Sequence, residues 1–218
     1  MPGYQVKHET LAIGAFQYVI RSLLNNRQFA DDEGTAAAAG ISSANWPLFG
    51  QVWPSARILA EAMQTYDIAG KRVLEIGCGL ALASMVIHRR RGNITASDRH
   101  PLAQDFLEQN LYLNNLPGLA YETGNWGRDN PALGKFDLII ASDVLYERDD
   151  AGDLANFIQR HANPASSVII VDPDRGNRNP FCRRMERNGY VHTLLRAEDT
   201  QTTGEPFKGH FLNFSRLH

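Results

Sequence analysis

The run Val73-Leu74-Glu75-Ile76-Gly77-Cys78-Gly79 closes an apolar, β-branched stretch with an acid and two glycines one residue apart. Glycine at such positions lets the chain turn sharply and lie close to a ligand, because no Cβ intervenes and positive φ costs little. A second run, Asn93 to Ser97, ends at Asp98, 21 residues beyond Gly77, where a βαβ unit places a carboxylate on ribose hydroxyls. The expected ligand is therefore a nucleoside. A dinucleotide fingerprint has its third glycine where Leu82 stands, so the loop argues against a pyrophosphate and against NAD. Glu75 sits in the strand end just before the glycines, where a carboxylate attracts a cationic amine and repels a phosphate. S-adenosylmethionine carries that amine together with a ribose and an adenine, and it has no phosphate.

These residues resemble the class I methyltransferases, whose first motif ends in a G-x-G-x-G loop; Ala81 stands here for the third glycine. Four further segments narrow the resemblance: Val52-Trp53-Pro54-Ser55-Ala56, Asp98-Arg99-His100-Pro101-Leu102, Asn125-Trp126-Gly127 and Ala141-Ser142-Asp143-Val144-Leu145-Tyr146. Over residues 46 to 176 the chain is similar to the seven-β-strand protein lysine methyltransferases of the family sixteen group, with their D-x-x-Y motif. The resemblance implies an S-adenosylmethionine-dependent N-methyltransferase acting on a lysine side chain of a protein. It implies cofactor contacts from Trp53, Glu75, Gly77, Cys78, Gly79, Asp98, Trp126 and Ser142, and acceptor contacts from Asp143 and Tyr146. No metal site is assigned.

Each of these residues also has a plainer role open to it. Trp126 is either an adenine cover or a core aromatic, and Trp53 either a pocket wall or a fastener for the N-terminal segment. Asp143 either orients the acceptor or caps a helix with Tyr146 packed beneath it. Cys78 is expected to pack rather than react, since nothing near it in sequence activates a thiolate. Methyltransferases of base amines and glutamine amides carry N-P-P-[YF] after the fourth strand, where this chain has Ser142-Asp143-Val144-Leu145, so those acceptors are disfavoured. A small-molecule N-methyltransferase with a nicotinamide-like acceptor is the first alternative, and a non-catalytic interaction module on the same fold the second. Asp172-Pro173-Asp174-Arg175 resembles the D-P-G-R segment of some relatives, with Asp174 in place of the glycine.

The elements that must position these side chains follow from periodicity. Apolar runs at residues 73–76, 93–98, 119–122, 136–142 and 167–172 read as buried parallel strands. Amphipathic stretches from Ser55, Leu80, Leu102, Leu154 and Phe181 supply the intervening helices, and Tyr190–Leu195 with His210–Phe214 makes a final pair. The fold class is α/β: a doubly wound, mostly parallel, Rossmann-like seven-stranded sheet with one antiparallel strand and helices on both faces. Residues 46–218 form the catalytic domain, and residues 1–45 an extension that could act as a lid, within one globular unit. Residues 11–29 fit a helix face and a strand equally, and Asp31–Gly40 reads as a mobile surface connection.

Composition excludes more than it selects. Of 218 residues 43% are hydrophobic and 21% charged, ordinary for one globular domain. A net charge of −2 gives no reason to expect nucleic acid or an anionic membrane as partner, and Arg89-Arg90-Arg91 reads as the cationic end of a helix. The expected partner is a substrate protein or a small amine. Two cysteines in different settings, with neither a spanning segment nor a signal peptide, fit a cytoplasmic protein.

Overall fold

The computed structural model describes residues 3–149, 151–197 and 207–217. The chain opens with an antiparallel hairpin, β1 (Val6–Ile13) and β2 (Phe16–Leu23), followed by one turn of helix, α1 (Thr35–Ala38), and by α2 (Pro54–Ala62). Strands and helices then alternate: β3 (Arg72–Ile76), α3 (Leu82–Arg89), β4 (Asn93–Asp98), α4 (Ala103–Leu113), β5 (Ala120–Thr123), β6 (Phe136–Ser142), α5 (Asp153–His161), β7 (Ala162–Asp172) and α6 (Arg178–Arg187). Two strands close the sheet, β8 (Val191–Arg196) and β9 (His210–Arg216). Its order is β5-β4-β3-β6-β7-β9-β8, parallel throughout except that β9 runs against both its neighbours. The expected doubly wound sheet with one antiparallel strand is thus the one observed.

Strand alternation divides the core in two, because successive side chains point to opposite faces. Val73, Leu138, Ile140, Ile169 and Val171 pack with α2, α3, α4 and the hairpin. Leu74, Ile76, Ile139, Ala141, Val168 and Ile170 pack with α5 and α6. Both faces being covered, the strands are continuous apolar runs, and that is why they were visible in the sequence. The order reverses at β3, whose two neighbours β4 and β6 are reached by crossovers in opposite directions, so a crevice opens beyond the carboxyl ends of β3 and β6. Gly77 leaves β3 there and Asp143 leaves β6.

Three elements differ from the expectation. Within the ambiguous segment 11–29, residues 11–13 and 16–23 are strand, paired with each other as β1 and β2, and the other edge of β2 is held by two asparagines some ninety residues away, on α4 and at its end. Asn110 Oδ1 accepts from Arg21 N (2.7 Å) and its amide donates to Arg21 O; Asn114 Oδ1 accepts from Val19 N (2.9 Å) and its amide donates to Val19 O (2.8 Å). Four residues of helix rise about 6 Å and two of strand about 6.6 Å, so two asparagines on one helix face satisfy alternate residues of a strand edge. Asn110→Ala unpairs a part-buried donor and acceptor of Arg21 together; it is expected to lower stability by about 2 kcal/mol, measured by urea unfolding. Asp31–Gly40 is not irregular throughout, since the Asp31 carboxylate accepts from Ala36 N and Ala37 N and caps α1. The fifth sheet strand of the sequence, β7, begins at Ala162 instead of Ser167, with its pairing to β6 shifting between Phe136 and Leu138. The polar stretch Asn163-Pro164-Ala165-Ser166 gives no apolar signal by which that early start could be read.

Candidate functional site

Three residues with left-handed backbone alternate after β3: Gly77 (φ 57°), Gly79 (φ 52°) and Ala81 (φ 56°). A Cβ on Gly79 would stand 2.8 Å from Phe49 O, and one on Gly77 would stand 3.0 Å from a Val144 methyl, so approach as well as φ requires glycine at both. Ala81 takes the same conformation with its methyl buried and leads directly into α3. Cys78 is buried in this loop, and desolvation pushes its thiol well up, in keeping with packing rather than reaction.

Asp98 ends β4 and ties that loop to the next one. One carboxylate oxygen accepts from Gly79 N (2.8 Å) and the other from His100 N (2.8 Å). Burial raises its carboxyl above the usual range, and the N–H groups of His100 and Gly79 oppose this. His100 stacks on Phe49 with ring centroids 3.7 Å apart, and its Nδ1 accepts from Leu102 N (3.2 Å). Desolvation holds it down at about 3, so it is neutral at physiological pH.

Trp53, Gly77, Cys78, Gly79, Asp98, Trp126, Ser142, Asp143 and Tyr146 all line one cavity of about 920 Å³, within the size range of ligand pockets. Trp126 lies beside Gly77, a ring carbon coming within 3.5 Å of where a Gly77 Cβ would be, and Trp53 is held by its Nε1–H donating to Leu48 O (2.9 Å). Leu11, Ile20, Ile41 and Asn45 bring the segment before residue 46 to the same cavity.

Glu75 is placed elsewhere. It is 2% exposed and is absent from the cavity wall; its carboxylate accepts from Ser84 N (2.8 Å) and from the Ser84 hydroxyl. The carboxylate expected to hold the cofactor amine, directly or through water, is seen here bonded to the first turn of α3, where free N–H groups attract an anion. Burial holds its carboxyl up at about 7.

The D-x-x-Y segment is likewise resolved. No helix begins there: α5 starts at Asp153, and Asp149 caps it by accepting from Gly152, Asp153 and Leu154 N–H groups. Asp143 (φ 53°) instead takes a bidentate ion pair, Arg175 Nε to Oδ1 and a second guanidinium nitrogen to Oδ2, both 2.7 Å. Arg175 was the residue missed. Its neighbour Asp174 adopts φ 60°, so the D-P-D-R segment keeps the left-handed turn that a glycine would take, a conformation aspartate tolerates. Tyr146 stands in the cavity wall with its phenol pushed up by desolvation. The one cavity therefore offers a buried carboxylate, a paired carboxylate, a tryptophan and a tyrosine.

The chain is similar to known methyltransferases. The chain is 34% identical over 122 residues to the histone-arginine methyltransferase METTL23 of Homo sapiens, covering 52% of this chain and 64% of that one. It is 28% identical over 162 residues to the calmodulin-lysine N-methyltransferase of Arabidopsis thaliana, covering 68% and 53%. The chain thus spans between about half and two thirds of the length of these curated relatives. Among solved structures, the 16S rRNA methyltransferase RsmC of T. thermophilus, in complex with AdoMet and guanosine, superposes on 97% of this chain and 50% of its own with a TM-score of 0.63 at 16% identity, a likeness of fold. The family model described as lysine methyltransferase matches residues 43–188, well over half of the chain and all of the loops just described; the chain belongs to the lysine methyltransferase family.

Proposed function

We propose that this protein transfers a methyl group from S-adenosylmethionine to the side-chain amine of a lysine on a protein. The observation that carries the reading is the single cavity joining Asp98 and Trp126 to Asp143 and Tyr146 across the switch point of the sheet. The residues fit the cofactor: two of the roughly four lone-pair positions of the Asp98 carboxylate are used by Gly79 and His100, which leaves capacity for ribose hydroxyls. Trp126 would cover the adenine, Trp53 and the 77–79 backbone would border the remainder, and Ser142 would contribute backbone contact. S-adenosylmethionine supplies an electrophilic methyl on a cationic sulfur.

The chain's own contribution is to hold a neutral amine in line. A lysine with a free pKa of about 10.4 costs about 4.6 kcal/mol to present uncharged at pH 7. The apolar walls from Val144, Leu145 and Phe181 lower that cost by making the charged form unfavourable. Asp143 would accept a hydrogen bond from the amine and orient its lone pair, and Tyr146 would narrow the channel. Residues 1–45 would serve as a cover over the cavity, and the composition fits a cytoplasmic setting.

A second reading has an observation of its own. Asp143 is seen to take a guanidinium bidentately, that of Arg175, and the METTL23 relative is named a histone-arginine methyltransferase, so a substrate arginine that displaced Arg175 is the alternative acceptor. Purified protein, labelled S-adenosylmethionine and cell extract, followed by gel separation and mass spectrometry of labelled peptides, decides between them. Label on lysine supports the first reading, label on arginine the second, and label confined to small molecules overturns both.

Asp98→Ala tests the cofactor half. Because the carboxylate also holds two buried backbone N–H groups, the loss extends beyond ligand contacts: stability is expected to fall by about 2–4 kcal/mol in urea unfolding. Calorimetry at a temperature where the variant is folded should show S-adenosylmethionine affinity reduced by about 1.5–3 kcal/mol. Unchanged affinity would remove Asp98 from the site.

A further inference from the structure

The Arg175–Asp143 pair has one electrostatic consequence for any amine that enters this cavity. An isolated carboxylate beside an acceptor amine is counterproductive in one respect: it stabilises the ammonium, and the ammonium has no lone pair with which to attack. Asp143 is not isolated. Its side chain is only 9% exposed, and both oxygens are engaged by a guanidinium that cannot lose its proton at working pH. The central carbon of that guanidinium also lies 5.9 Å from the centre of the Trp53 ring, at the outer reach of a cation–π contact.

The loop that carries Arg175 is fastened at both ends. Asp174 pairs with Arg178 and lies 3.0 Å from His210 Nδ1, and Asn177 donates to Leu145 O (2.9 Å), linking it to the D-x-x-Y segment. Of the other charged groups around the pair, Glu147 meets Arg99 and Asp149 meets Arg184, whereas buried Asp172 at the end of β7 has no hydrogen-bond partner for either carboxyl oxygen among the described residues, and its carboxyl is pushed up by desolvation and then by Asp174.

We propose that Arg175 is a positioning residue that neutralises Asp143, so that the carboxylate orients the acceptor amine without holding it protonated. The proposal rests on the lysine reading above. An amine bonded to either carboxylate oxygen lies within about 6 Å of the guanidinium, the sum of two hydrogen-bond lengths. At that distance a positive charge at a partly exposed position depresses the amine's pKa by about one unit after allowance for solvent. Asp143 then supplies direction, and Arg175 sets the protonation state of what Asp143 receives.

The test uses the full chain and two readouts that a merely structural role would not move. First, the pH dependence of kcat/KM is measured on the labelled lysine peptide for wild type, Arg175→Gln and Arg175→Lys. The acid limb is expected to move up by about one pH unit in Arg175→Gln, to return most of the way in Arg175→Lys, and the rates to converge at high pH. Second, n-butylammonium is titrated by NMR at pH 7 as a lysine side-chain probe in the presence of S-adenosylhomocysteine. It is expected to bind about tenfold more tightly to Arg175→Gln than to wild type, because the bare carboxylate favours the cation. An unmoved limb, equal binding by the two proteins, or no binding to Arg175→Gln overturns the proposal. A lower KM with an unmoved limb also overturns it, since Arg175 would then only obstruct the carboxylate. Lysine labelling by wild type with any of these results leaves the lysine reading standing, whereas arginine labelling overturns that reading and this proposal with it.

Discussion

Asp143→Ala is expected to reduce methyl transfer by about a hundredfold or more while leaving S-adenosylmethionine affinity near that of wild type. The rate loss follows from geometry: misplacing a nucleophile by about 1 Å costs on the order of a hundredfold, because reacting atoms must be held in line at near contact. The stability loss is smaller. The Arg175 half of the ion pair is 43% exposed, so the pair is worth no more than about 1 kcal/mol to the fold. Alanine at φ 53° adds about 1 kcal/mol of backbone strain that aspartate partly avoids. A total of about 2 kcal/mol in urea unfolding, with calorimetric cofactor binding retained, separates this outcome from collapse of the site. The helix-cap alternative for Asp143 is already answered by Asp149, which holds the N-terminus of α5. Full turnover in the variant would remove Asp143 from the chemistry, and with it the basis for the role given to Arg175.

What the sequence made legible depended on whether the signal was local. Buried parallel strands such as 136–142 announce themselves because both faces are apolar, and β6 occupies the very residues expected. The loop after β3 was legible because two glycines and an acid 21 residues on are spaced by the βαβ unit itself. The hairpin was not, since Phe16–Leu23 pairs with β1 on one edge and is held on the other by Asn110 and Asn114, polar residues that in and just after α4 look like ordinary exposed positions. Arg175 was not legible as a partner of Asp143 because the two are 32 residues apart and meet only once β6 and β7 pair. Glu75 was legible as an acid at the loop, but its bond to Ser84 was not. The helix that follows the glycines presents Ser84 to the carboxylate nine residues later, and a bond inside the βα unit competes with any ligand for the same oxygens.

Glu75 also carries a large pH effect. With its carboxyl held up at about 7 against an ordinary value of 4.5, the folded protein binds this proton more tightly than the unfolded chain does. Its contribution to stability is therefore fully present below about pH 4.5 and is lost as pH rises through 7. A shift of that size amounts to about 3 kcal/mol. Glu75→Gln removes the titration and keeps the shape: the amide oxygen can still accept from Ser84 N and from its hydroxyl, and the amide N–H₂ stands where the acid proton was. The test is the difference in unfolding free energy between Glu75→Gln and wild type, measured in urea at pH 5 and at pH 8. Between those two values most of the shift is expressed, and the difference should move by about 2.5 kcal/mol in favour of glutamine at the higher pH. His100 titrates in the opposite sense, losing stability as pH falls below 6.5, but it does so in both proteins and cancels in the comparison. A difference that stays constant across this range would mean that the carboxylate ionises inside the fold without penalty, so that the N–H groups at the start of α3 stabilise its charge as fully as water does.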